Sequence, residues 1–143
     1  MLRGLATVSF YASDVKAARR WYEELLGIEA YYAVPSADEP AYVEFRFGDL
    51  QCELGIIDAK YAPHAVGPTA AGAIVNWHVD DLEGTLARLL ELGATLNEGI
   101  VERGNNTGFR TASVVDPFGN LIGIMNNPHY LQILADLQAN APA

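Results

Sequence analysis

AIVNWHVDD, residues 73–81, repeats a pattern first met at residues 6–14, ATVSFYASD. A shift of 67 positions sets Val8 on Val75, Ser9 on Asn76, Phe10 on Trp77, Tyr11 on His78, Ala12 on Val79 and Asp14 on Asp81. Each copy reads as a strand that ends on an aspartate able to cap a helix. Beyond Asp14, the residues Val15, Ala18, Trp21/Tyr22 and Leu25/Leu26 recur on one helical face, and Gly27 fits the left-handed stop. Beyond Asp81, Leu82, Leu86, Leu89 and Leu90 do the same, and Gly93 ends the helix.

Further strands are expected at 29–34, 42–47 and 50–57 in the first half, and at 95–98, 109–115 and 121–125 in the second. Each half therefore reads βαβββ. The fold class is α+β, built as two tandem modules: module one over about 5–57, a Pro/Gly/Ala linker over 58–72, and module two over about 73–127. A C-terminal helix and tail at 128–143 use Leu131, Leu134 and Leu137. A single copy of roughly 60–70 residues is marginal alone, so the pair is read as one domain.

Composition narrows the function. The chain has 143 residues, 50% of them hydrophobic and 19% charged, which suits a globular domain with a real core. Its formal net charge is −9, from 9 basic and 18 acidic side chains, and it has no basic run. Nucleic-acid binding lacks its cationic footprint, and a highly anionic substrate is disfavoured. No apolar run approaches a membrane span, and MLRGLATVSFYASD carries no export-type apolar segment. The single cysteine, Cys52, excludes an intrachain disulfide. A cytoplasmic location is the expectation.

Asp116-Pro117-Phe118-Gly119-Asn120 is turn chemistry leading into a final buried strand with Gly123 near its centre. The duplicated βαβββ pattern, "DPFGN" before the last strand and "VDDL" before the second helix resemble the vicinal oxygen chelate superfamily. That superfamily includes glyoxalase I, extradiol dioxygenases, fosfomycin resistance enzymes and bleomycin-binding proteins. The resemblance implies a cupped mixed sheet with helices outside, and a ligand or divalent metal within. It also implies a homodimer.

Catalytic members place a metal-binding His in the first strand of each half and a Glu in the last strands. Those positions here fall on Thr7, Ile74 and Gly123, with Glu53 near the fourth. Thr7, Ile74 and Gly123 offer neither imidazole nor carboxylate, so no metal or other cofactor is expected. A rearranged site of Glu53 with His78 or His129 is the alternative.

Strand alternation turns Thr7, Ser9, Tyr11, Glu53, Ile74, Asn76, His78, Gly123 and Met125 toward the ligand side. The same phase sends Cys52, Leu54 and Ile56 to the helix layer. Apolar walls with a few polar groups describe a small-molecule site. Gly123 then leaves room for a ligand against the backbone. Three functions stay open: a metal-free protein that binds a small apolar or aromatic molecule; a metal-independent enzyme with Glu53 as general base and His78 or Tyr11 as partner; and a metal-dependent lyase, isomerase or dioxygenase. Glu53 is equally readable as a solvated carboxylate, His78 as a partner for local backbone, and Arg46 and Arg110 as surface ion pairs with Glu residues.

Overall fold

The computed structural model describes residues 6–63 and 73–141. In chain order its elements are β1 (Thr7–Ala12), α1 (Val15–Leu26), β2 (Tyr32–Val34), β3 (Tyr42–Phe47), β4 (Cys52–Asp58), a short 3-10 turn (Ala59–Tyr61), β5 (Val75–His78), α2 (Leu82–Glu91), β6 (Thr95–Glu102), β7 (Arg110–Val115), β8 (Leu121–Asn126) and α3 (Pro128–Ala139). The expected βαβββ order holds in both halves. Leu5, His64 and most of the linker lie outside the described residues.

Each half forms its own four-stranded sheet, ordered β1-β4-β3-β2 and β5-β8-β7-β6. The first strand runs parallel to the last, and the other pairs are antiparallel. Both aspartates cap as read: Asp14 accepts from Ala17 N–H and Asp81 from Gly84 N–H, each at 2.9 Å. Gly27 and Gly93 both take positive φ, which costs glycine little at a helix end.

Period-2 alternation sets the core of each unit. In the first, Phe10, Val43, Phe45, Leu54 and Ile56 are buried beneath Val15, Ala18 and Tyr22 of α1. In the second, Ala112, Val114, Ile122 and Ile124 are buried beneath Leu82 and Leu89 of α2. Contacts divide the chain into residues 1–71 with 116–120, and 72–115 with 121–143.

The 116–120 turn thus belongs to the first unit, and its bonds show why. Asp116 is buried and accepts from the Phe118 and Asn120 N–H groups at 2.9 and 2.7 Å. Its other oxygen accepts from Tyr22 Oη at 2.6 Å and Asn120 Nδ2 at 2.9 Å. Asn120 bonds both backbone groups of Tyr11 at 3.0 Å. Trp21 meets Phe118 edge-on, with ring centroids 6.2 Å apart.

Three expectations need correction. Cys52 is exposed: it opens β4 opposite Phe47, in the last pair of the β3–β4 ladder, where its phase does not bury it. The strand expected at 29–34 is confined to Tyr32–Val34. Glu23 Oε1, paired with Arg19, accepts the Ala30 N–H instead and holds the preceding residues in a bend. The strand expected at 95–98 continues to Glu102 through register shifts against β7. No helix among the described residues is long and apolar enough to cross a membrane.

Candidate functional site

The face of each sheet opposite its helix carries the polar side chains. In the first unit, pairing puts Ser9, Gly55, Glu44 and Tyr32 in one row across the four strands, with Thr7, Glu53 and Arg46 in another. Thr7 Oγ1 donates to Glu53 at 2.9 Å, and Arg46 donates to the other Glu53 oxygen at 2.6 Å. The Arg46 and Thr7 bonds hold the Glu53 carboxyl below its usual pKa. Glu44 differs. Its oxygens accept from the hydroxyls of Tyr31 and Tyr42, and its pKa is raised, first by burial and then by the Glu53 charge. A side chain at Gly55 would strike the Tyr42 ring at 2.8 Å, so the missing Cβ lets that ring lie across the sheet.

In the second unit the matching row is Asn76, Gly123, Ser113 and Glu98. A half-open cavity of about 360 Å³ lies over it. Ile74, Phe109 and Met125 supply apolar wall, with Asn76, Thr111 and Ser113 between. The opening in the strand at Gly123 has an occupant: an ideal Cβ there would sit 2.2 Å from Asn76 Oδ1 and 3.1 Å from Ile74 Cγ1. Among the described residues no hydrogen bond reaches the Asn76 carboxamide. Ser113 Oγ accepts from Asn97 Nδ2 at 2.9 Å, which leaves its own O–H for another partner. At the rim Glu98 pairs with Arg103, whose Nε also donates to Thr111 Oγ1 at 3.0 Å.

The predicted residues are therefore divided. Ile74, Asn76 and Met125 line the cavity, and Gly123 lies beneath Asn76. Thr7, Ser9, Tyr11 and Glu53 belong to the first sheet. His78 stands apart: its Nδ1 accepts the Asn127 N–H at 3.1 Å, Tyr130 stacks on its ring at 4.8 Å, and its Nε2 is buried without a hydrogen-bond partner, 3.6 Å from Asp80. Phe109, Thr111, Ser113, Glu98 and Arg103 were not anticipated. The alternation of β7 was a usable signal for Thr111 and Ser113.

Register also settles the fourth ligand position. Gly55 faces Ser9 as Gly123 faces Asn76, so Gly55, not Glu53, is the counterpart of Gly123. Counting from the preceding turn glycine misled because Gly48 opens the β3–β4 turn, whereas Gly119 stands near the end of the β7–β8 turn. The four equivalent positions are Thr7, Gly55, Ile74 and Gly123, of which only Thr7 has a side-chain oxygen, and that donates to Glu53. Among the described residues no three His, Cys, Asp or Glu side chains are grouped to hold a metal ion. This donor set does not fit the divalent ion that the resemblance implies.

Solved structures share this architecture. A glyoxalase-related enzyme from Fulvimarina pelagi superposes with a TM-score of 0.69 at 19% identity, covering 89% of this chain and 90% of its own. A lactoylglutathione lyase from Agrobacterium tumefaciens gives 0.63 at 20% identity, over 87% and 93% of the two chains. A glyoxalase/bleomycin resistance protein from Catenulispora acidiphila gives 0.59 at 23% identity, over 87% and 100%. At these identities the likeness is one of fold. No curated protein matches the chain in sequence. The family profile does: residues 4–124, which hold both βαβββ units and the turn that ties Asp116 to Tyr22, match the Glyoxalase/Bleomycin resistance protein/Dioxygenase superfamily, and the chain belongs to that superfamily.

Proposed function

We propose that this protein binds a small, uncharged, largely apolar or aromatic molecule in the second-unit cavity, without a metal. One observation carries the reading. A cavity of about 360 Å³ brings together apolar walls and the Asn76 carboxamide, which no described residue bonds and which lies against the glycine backbone at 123. Small-molecule sites have this make-up, at volumes from about 300 Å³ upward. Asn76 offers a donor and an acceptor, and Ser113 offers an O–H. The Glu98–Arg103 pair balances charge at the rim, which favours an uncharged ligand.

Glu53 as general base ranks below this reading. A base works best when its pKa lies near the working pH, and Arg46 and Thr7 hold Glu53 on the acid side of its usual range.

The test is a screen of small aromatic and aliphatic fragments by amide chemical shifts on ¹⁵N-labelled protein. Saturable shifts at Asn76, Ser113 and Met125 are expected. Asn76→Ala should retain the parent's spectrum and weaken the best fragment about tenfold, the size of a lost hydrogen bond. Fragments that shift none of these residues, or that bind Asn76→Ala equally well, would defeat the proposal.

A further inference from the structure

The first sheet presents a second arrangement that the cavity does not use. Gly55 lets the Tyr42 ring lie across the sheet. Tyr32 stands at 66° to that ring, with centroids 6.2 Å apart, and is half exposed. Tyr31, also half exposed, donates with Tyr42 to the two Glu44 oxygens. Glu44 is thus a carboxylate held by two neutral phenols, and among the described residues no cation bonds to it. Glu53, in the adjacent row, already has Arg46.

The same face shows what it accepts. The Arg46 guanidinium lies over the Tyr31 ring, 4.6 Å from its centroid, while donating to Tyr31 Oη at 3.0 Å and to Glu53. On this face a cation between a tyrosine ring and a carboxylate is therefore already present, supplied by the protein itself. Tyr42, Tyr32 and Glu44 repeat the ring-and-carboxylate pairing beside it, and among the described residues no side-chain cation is bonded to them. Ring faces attract cations electrostatically, and a neighbouring carboxylate adds to that attraction. The net charge of −9 favours the approach of a cation further.

We propose that the open face of the first sheet binds an organic cation, of the alkylammonium or guanidinium class, seated against Tyr42 and Tyr32 and paired with Glu44. Its residues all belong to the first unit, and none of them lines the second-unit cavity.

The experiment titrates the full chain with benzyltrimethylammonium, with methylguanidinium, and with neopentyl alcohol as an uncharged comparison. Amide and tyrosine-ring shifts are the readout. Both cations should give saturable shifts at residues 31–32 and 42–44, and the alcohol none. Glu44→Gln should weaken cation binding about tenfold and Tyr32→Ala at least about threefold. Arg46→Gln should tighten it by removing the internal competitor. Tyr32→Ala changes no charge, so its effect separates a ring-lined site from a bare acidic surface. Unchanged affinity in Tyr32→Ala, equal shifts with the alcohol, or no saturable shift at these residues would overturn the proposal.

Discussion

Replacing Tyr22 with phenylalanine removes one oxygen and tests what joins the DPFGN turn to the first unit. Tyr22 and Asp116 are both buried, and their contact is a 2.6 Å bond from a phenol to a carboxylate. A hydrogen bond to a charged group contributes about 1.5–3 kcal/mol. In Tyr22→Phe the ring stays, and its edge-on contact with Trp21 is kept. Asp116 also keeps its donors at Phe118 N, Asn120 N and Asn120 Nδ2. The cost should therefore fall toward the lower end, about 1.5–2 kcal/mol. For a chain near this size that lowers Tm by about 3–8 °C. Urea and thermal unfolding at neutral pH, followed by tryptophan fluorescence and circular dichroism, give the number.

Alkaline pH supplies an internal control. Burial first, then the Asp116 charge and the hydrogen bond to it, raise the Tyr22 pKa well above its ordinary value. Below about pH 10 the phenol is protonated in both folded and unfolded chains, so its full contribution is present. Above that, the unfolded chain ionises while the folded chain retains its proton, and the contribution is lost as pH rises. The gap between parent and Tyr22→Phe should hold through neutral pH and narrow above about pH 10. A variant within about 0.5 kcal/mol of the parent at pH 7, or a gap that widens with alkali, would refute the reasoning.

Two other outcomes are expected. Carboxyl-carbon NMR titration should find Glu53 releasing its proton at lower pH than Glu44, because Arg46 and Thr7 lower the first while burial and the Glu53 charge raise the second; Arg46→Gln should move Glu53 upward, and a reversed order in the parent would contradict the geometry. Gly55→Ala should cost about 1–2 kcal/mol in urea, because the Tyr42 ring must lift away from Glu44 and Tyr32, whereas Gly123→Ala should stay within about 1 kcal/mol of the parent because the mobile end of Asn76 can swing aside and the Ile74 side chain need give only slightly.

The duplication, both helix caps and the buried residues of β1, β4 and β8 other than Cys52 were legible because they rest on local signals: a capping aspartate, a stop glycine and apolar alternation. Tyr42-Val43-Glu44-Phe45-Arg46-Phe47 carried the same kind of signal for the first site, since Val43 and Phe45 fix the phase that turns Tyr42, Glu44 and Arg46 to the open face. What local pattern does not contain is which rows meet. Gly55 became the counterpart of Gly123 only through register, because the turn glycines Gly48 and Gly119 stand at different places in their turns and displaced the count. Glu98 entered the cavity through the irregular pairing of β6, where two register shifts re-aim side chains that strict alternation would place otherwise. His78 lay in phase with Asn76, yet contacts from Asn127 and Tyr130, some fifty residues away in sequence, decided its surroundings.

The two glycines give a physical account of how one repeated unit comes to present two different polar faces. Both stand at the same register position, between the first strand of their unit and its third. A strand-centre glycine sacrifices packing and β propensity, so its presence in both halves needs a local return. In each case that return is a polar side chain laid over the vacant position, but it arrives from opposite sides. Tyr42 comes from β3 and brings its ring beside Glu44, whereas Asn76 comes from β5 and brings a carboxamide beside Ser113. Across the same row the first unit reads Ser9, Gly55, Glu44, Tyr32 and the second Asn76, Gly123, Ser113, Glu98. A carboxylate among rings favours a cation, while an amide and a hydroxyl over apolar walls favour an uncharged molecule. The scaffold thus keeps the backbone vacancy and changes which neighbour fills it, and the filling side chain sets the polar groups that each face presents.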